Sequence, residues 1–134
     1  MTGVQTCALP IYEPYRFIKQ KLIDISEDDS EFERRAEITI EAHGEVTTLT
    51  GYGNGPIDAV KNALNSLPEM HSHLLDYSEH ALTSGSSSKA AAYVYLRAKG
   101  SARQEYGVGI HPNITTATVK AIISGMNRLY KTLK

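Results

Sequence analysis

The stretch that most constrains this chain is the corner Gly51-Tyr52-Gly53-Asn54-Gly55-Pro56-Ile57-Asp58, which runs on through Ala59 to Leu64. A strand-like run, Val46 to Thr50, feeds the glycines. Pro56 then stands where a helix takes its first residue, a position whose N–H is not needed. The segment therefore reads strand, tight turn, helix. At such a junction the N–H groups of the first helical turn have no partner within the helix, and glycines let a ligand come close to the backbone, so an anion pocket is one use of the corner. A plain turn is the other. The corner is not a phosphate-binding loop of the Walker type, since no Gly-Lys-Ser/Thr follows. Nor is it a dinucleotide fingerprint, because the glycine spacing differs and the upstream strand is polar and alternating.

Ahead of the corner, Ala36, Ile38, Ile40 and Ala42 alternate with Glu37, Thr39 and Glu41, the period of a strand with one wet face. His43-Gly44 makes the turn, Val46 to Thr50 returns as the second strand, and a helix follows to about Leu67, ended by Pro68. Tyr15 to Ile25 reads as either a strand or a short helix, broken by the acidic loop Ser26 to Ser30. The second half repeats the plan. A strand spans Leu74, Tyr77 and Ala81-Leu82, the serine run Ser84 to Ser88 is a loop, and Ala90 to Leu96 is a strand. After a turn at Lys99-Gly100-Ser101, Ala102 to Val108 forms a third strand. A long helix starts at Pro112 or Ile114, with Ala117, Ala121, Ile122 and Leu129 on one face. A shift of 58 positions lays Gly51 on Gly109, Ala59 on Ala117, Ala63 on Ala121 and Leu64 on Ile122. The expected fold is α+β, two pseudo-symmetric β-β(-β)-α units with helices packed on one layer of sheet. A pocket between the two corners is the natural place for a small anionic ligand.

At 134 residues the chain is one domain, short for a complete metabolic enzyme. The net charge of -1 favours neither nucleic acid nor an acidic membrane surface as partner. The single cysteine, Cys7, rules out an intramolecular disulfide or a cysteine zinc cluster and fits a reducing, cytoplasmic compartment. No apolar run approaches the roughly 18 residues of a membrane span. Residues 1–12 show no continuing periodicity and resemble translated sequencing adapter. They are set aside as non-native, Cys7 with them, which makes the chain a truncated piece of a longer reading frame. Residues 13–31 are then a connector and 32–134 the domain. His71-Ser72-His73 has the spacing of a metal dyad on a strand, yet lies in the connection after Pro68 without an obvious third ligand. Glu79-His80 reads as a charge pair on a solvent face.

Three stretches, Gly53 to Ala59, Asp76 to Leu82 and Gly107 to Ala117, in this order and spacing, resemble the C-terminal regulatory domain of 2-isopropylmalate synthase. The likeness covers about residues 15 to 132. It implies a regulatory domain that binds leucine and passes end-product inhibition to a metal-dependent barrel condensing acetyl-CoA with 2-oxoisovalerate. That barrel, its divalent metal and every catalytic residue lie outside this chain, so no cofactor is expected here. The same domain in citramalate synthase answers isoleucine, and the family also uses the region in dimer contacts, so an isoleucine module and a purely structural dimerisation domain are the alternatives.

What the resemblance implies for the site is a set of backbone N–H groups near Gly53, Asn54, Gly55, Ile114 and Thr115 for charge, and Asp58 for the ammonium. The walls would be Ile57, Leu74, Tyr77, Ala81, Ser88 and Ala90. Ala81 and Ala90 would leave room for an isobutyl group, and Ser88 stands where an alanine is expected. Leucine and isoleucine differ too little in shape for these residues to separate them, since one methylene changes affinity by only about 1–3 kcal/mol.

Overall fold

The period-two pattern around Ile38 is carried into a sheet. Ala36, Ile38 and Ile40 are fully buried, while Arg35, Glu37 and Glu41, which alternate with them on the other face, are half-buried. In the computed structural model, described over residues 14–25, 33–67, 71–82 and 89–133, the elements are β1 (Tyr15–Ile25), β2 (Glu33–Ala42), β3 (Glu45–Gly53), α1 (Pro56–Asn65), β4 (Ser72–Ala81), β5 (Ala90–Ala98), β6 (Gln104–His111) and α2 (Ile114–Leu133). Residues 1–12 with Cys7, the acidic run 26–30, Pro68 and the serine run with Ser88 lie outside the described residues.

The fold is α+β, two β-β-β-α units. The strands form two antiparallel three-stranded sheets, one per unit, in the orders β1-β2-β3 and β4-β5-β6. Tyr15–Ile25, assigned by sequence to a connector and left between strand and helix, is a full strand paired along β2. Its pattern is obscured because a bulge between Phe17 and Lys19 shifts the alternation there. β4 carries its own bulge at the matching place, between Leu74 and Asp76, which strengthens the pseudo-symmetry. The β2–β3 hairpin closes through His43 (φ 51) and Gly44 (φ 87), positive at both central residues as a two-residue hairpin turn requires.

The glycines of the corner serve the helix. A Cβ on Gly51 would lie 2.1 Å from Ala63 N, and one on Gly53 would lie 2.6 Å from Ala59 N. In the second unit Gly107 would meet Ala121 O at 2.0 Å and Gly109 would meet Ala117 O at 2.0 Å. Each helix thus rests its alanines on the bare backbone of the last strand of its unit. Contact partners show that Gly53 matches Gly109 and Gly51 matches Gly107. The 58-residue shift holds for the helices and drops to 56 for these strands, because four residues separate Gly109 from α2 and two separate Gly53 from α1.

The units are tied crosswise. Asn127 of α2 accepts from Tyr15 N (3.0 Å) through Oδ1 and donates to Tyr15 O (2.8 Å) through Nδ2, so a helix of the second unit holds the first strand of the first. Asn65 of α1 does the same to Ser72 at the start of β4, with distances of 3.3 and 3.1 Å.

Two outcomes are expected in urea unfolding. Gly107→Ala should cost about 1–3 kcal/mol or more, since helix and strand must separate, whereas Gly55→Ala, with nothing within 4 Å of the added carbon, should cost no more than about 1 kcal/mol. Asn127→Ala strips both backbone partners from Tyr15, which is 2% exposed, and should cost about 2–4 kcal/mol; a loss equal to that of an ordinary surface substitution would show the clasp to be incidental.

Candidate functional site

Both helices start at the same place in the fold, and the space between their first turns is not filled. A cavity of about 250 Å³ opens there, lined by Pro56, Ile57 and Val60 of α1, Tyr77 and Glu79 of β4, and Ile114, Thr115 and Thr118 of α2. Residues four apart on a helix share a face, which is why Ile114 and Thr118 both look into it. Tyr77 and Glu79, two apart on a strand, share a face for the same kind of reason. The volume lies below the roughly 300–1,000 Å³ of pockets for drug-sized ligands and suits a smaller molecule.

The two helix starts differ. Asn113 Oδ1 accepts from Thr115 N (2.9 Å) and Thr116 N (3.1 Å), so these two N–H groups of α2 are already engaged. At α1 the cap is Gly55, which offers no side-chain bond, and Pro56 follows it. The first-turn N–H groups of Ile57 and Asp58 have no side-chain cap and suit an anion.

A short polar chain crosses the cavity. The Tyr77 hydroxyl donates to Glu79 Oε2 (2.6 Å) and lies 3.1 Å from Thr118 Oγ1, which in turn donates to Ile114 O (3.0 Å). Tyr77 has one proton, and the carboxylate is the stronger acceptor. Burial first, then the bond to Glu79, raises the Tyr77 pKa above its ordinary value, while the nearby Thr118 hydroxyl lowers it in part. The folded state therefore holds this proton more tightly than the unfolded chain does. That contribution is whole below about pH 10 and is lost as pH rises through the folded value.

Of the residues assigned from sequence, Ile57, Tyr77, Ile114 and Thr115 meet in this cavity. Gly53 faces Ala59 across the strand–helix contact, Asn54 is exposed, and Gly55 is the cap. Asp58 is exposed and pairs with Lys61 at 3.6 Å on the outer side of α1. Leu74 packs against the core, while Ala81 and Ala90 pair with each other at the far ends of β4 and β5; none of the three lines the cavity. Val60, Glu79 and Thr118 are lining residues that the sequence reading passes over, and Pro56 is one it takes only as a helix start. Glu79 and His80 are both exposed but leave the strand on opposite faces: His80 meets the Tyr93 ring at 5.7 Å, while Glu79 borders the cavity. The signal for Glu79 was its two-residue spacing from Tyr77. Among the described residues no three His, Cys, Asp or Glu side chains gather as a metal site, His71 and His73 included, and no helix is long and apolar enough to cross a membrane.

Comparison with known proteins places the fold. A family described as the LeuA allosteric (dimerisation) domain matches residues 8–130, starting inside the stretch set aside as non-native. The chain is 44% identical over 92 residues to 2-isopropylmalate synthase of Clostridium acetobutylicum, covering 69% of this chain and 16% of that protein. It is 40% identical over 116 residues to the enzyme of Mycobacterium leprae, covering 87% and 18%. With the Thermobifida fusca enzyme it shares 44% over 101 residues, 75% and 17%. The chain thus spans less than one fifth of the length of these relatives.

Tyr77→Phe should lower stability by about 1 kcal/mol in urea unfolding at neutral pH. In an NMR titration of the eight tyrosines it should remove a resonance that ionises above pH 10; a Tyr77 that titrates with the exposed tyrosines would contradict the bonded arrangement.

Proposed function

The chain belongs to the family of LeuA allosteric (dimerisation) domains, and from that premise we propose that it is the amino-acid-sensing part of a cytoplasmic 2-isopropylmalate synthase. It binds leucine, passes feedback inhibition to a catalytic domain of the same enzyme, and joins a second copy in a homodimer. One observation carries the reading: the cavity is bounded by the first turns of both helices and by β4, so a molecule in it touches both units at once. A ligand that contacts two packed bodies favours the arrangement in which both contacts are made, and that differential affinity is what couples one site to another.

The fit to an amino acid follows from the lining. The open N–H groups at the start of α1 suit a carboxylate. Ile57, Val60 and Ile114 present apolar surface to a branched side chain. Thr115, counted from sequence as a charge-holding backbone, already gives its N–H to Asn113 and serves as wall. No catalytic step, metal or cofactor is assigned to this chain.

Thermal unfolding with leucine, isoleucine and valine added in turn tests the reading. Leucine at about 100 times its dissociation constant should stabilise the chain by about 2.7 kcal/mol. A rise with isoleucine alone would move the effector to isoleucine, and no rise with any of the three would leave dimerisation without amino-acid sensing.

A further inference from the structure

Glu79 is a carboxylate in an unusual setting. Its register partner on β5 is Ala92, fully buried, and that of Tyr77 is Val94, 1% exposed, so both side chains leave β4 on the face that packs toward the helices. Among the described residues it is also the one charged side chain lining the cavity; the other seven are apolar or neutral. Glu79 takes no part in the ion pairs that join Arg16 to Glu41, Arg35 to Glu37 and Lys61 to Asp58. Among the described residues its bonded partner is the Tyr77 hydroxyl on Oε2, which fixes the group in place without neutralising it. The carboxylate is exposed at the mouth of the hollow, where a cation placed beside it is favoured and a like charge is disfavoured.

We propose that Glu79 is the residue that selects an amine in this cavity, so that the site accepts a branched-chain amino acid and turns away the 2-oxo or 2-hydroxy acid of the same carbon skeleton. The proposal rests on the reading of the cavity as an amino-acid site. An amino acid entering with its carboxylate toward α1 brings its ammonium as the charge that Glu79 lacks. An oxo acid brings a second negative charge and nothing to answer the first. Asp58, the partner expected from sequence, points outward and is held by Lys61. Apolar contacts alone cannot make this distinction, since the two ligands share the same isobutyl group, so the carboxylate carries the specificity. A sensor built this way responds to the aminated product and ignores its unaminated precursor.

Isothermal titration of the purified chain with leucine and with 4-methyl-2-oxopentanoate tests it, using the wild type, Glu79→Gln and, as a remote control on the β2–β3 hairpin, Glu45→Gln. Glutamine retains the acceptor for Tyr77, so the unfolding midpoint serves as a check on folding. Wild type and Glu45→Gln should bind leucine and discriminate against the oxo acid. Glu79→Gln should lose about tenfold to a hundredfold in leucine affinity, the range for a bond between charged groups, with the gap between the two ligands narrowing. Leucine bound equally well by Glu79→Gln, or an oxo acid bound by wild type as tightly as leucine, would overturn the role of Glu79 and leave the cavity reading standing. Wild type that binds none of the branched-chain amino acids would overturn both.

Discussion

The close approach of helix to strand at Gly51, Gly53, Gly107 and Gly109 is the contact on which the rest of the structure depends. At each of these positions even a methyl group would collide with helix backbone, at 2.0 to 2.6 Å. Two elements that touch backbone to backbone have little freedom to slide, because packed interiors tolerate displacement poorly. The helix starts are therefore fixed relative to the ends of β3 and β6. Gly51 and Gly53 of the first corner serve the approach of the strand to its helix, while Gly55 has open space around it.

The cross-ties set how the units meet. Asn127 closes the backbone of β1, and Asn65 closes that of β4, so each helix supplies hydrogen bonds to the first strand of the other unit. Exchange of this kind satisfies strand groups that would otherwise face the interior unpaired. It also brings β4, with Tyr77 and Glu79, under the starts of both helices. The cavity is a consequence: two helices held by their glycine contacts and by each other's strands leave a gap where their first turns diverge.

Symmetry is broken where chemistry is needed. The longer second corner gives α2 an asparagine cap, while the shorter first corner leaves α1 with a glycine. Two related units thus present one closed and one open helix start to the same space. In the proposed reading, a ligand would lie with its anionic end toward α1 and its other end toward the hydroxyl and carboxylate of Tyr77 and Glu79.

Local periodicity made most of the fold legible. Alternation around Ile38, the proline at the head of α1 and the alanines of α2 each depend on residues a few positions apart, and those spacings are written along the chain. β1 escaped because its bulge breaks the alternation within a short, basic stretch. Among the site residues, Ile57, Tyr77, Ile114 and Thr115 followed from the resemblance together with helix and strand position. Which residues meet was decided by tertiary structure: Tyr77 reaches Thr118 across 41 positions, and Tyr15 reaches Asn127 across 112. Such contacts depend on packing between elements, and periods of two or 3.6 residues contain no term for it. By itself the sequence determined the two β-β(-β)-α units and the alternation of faces along β2. Only the folded chain decided that Asp58 turns outward to Lys61 and Glu79 inward to the cavity, because that choice depends on where neighbouring elements leave space.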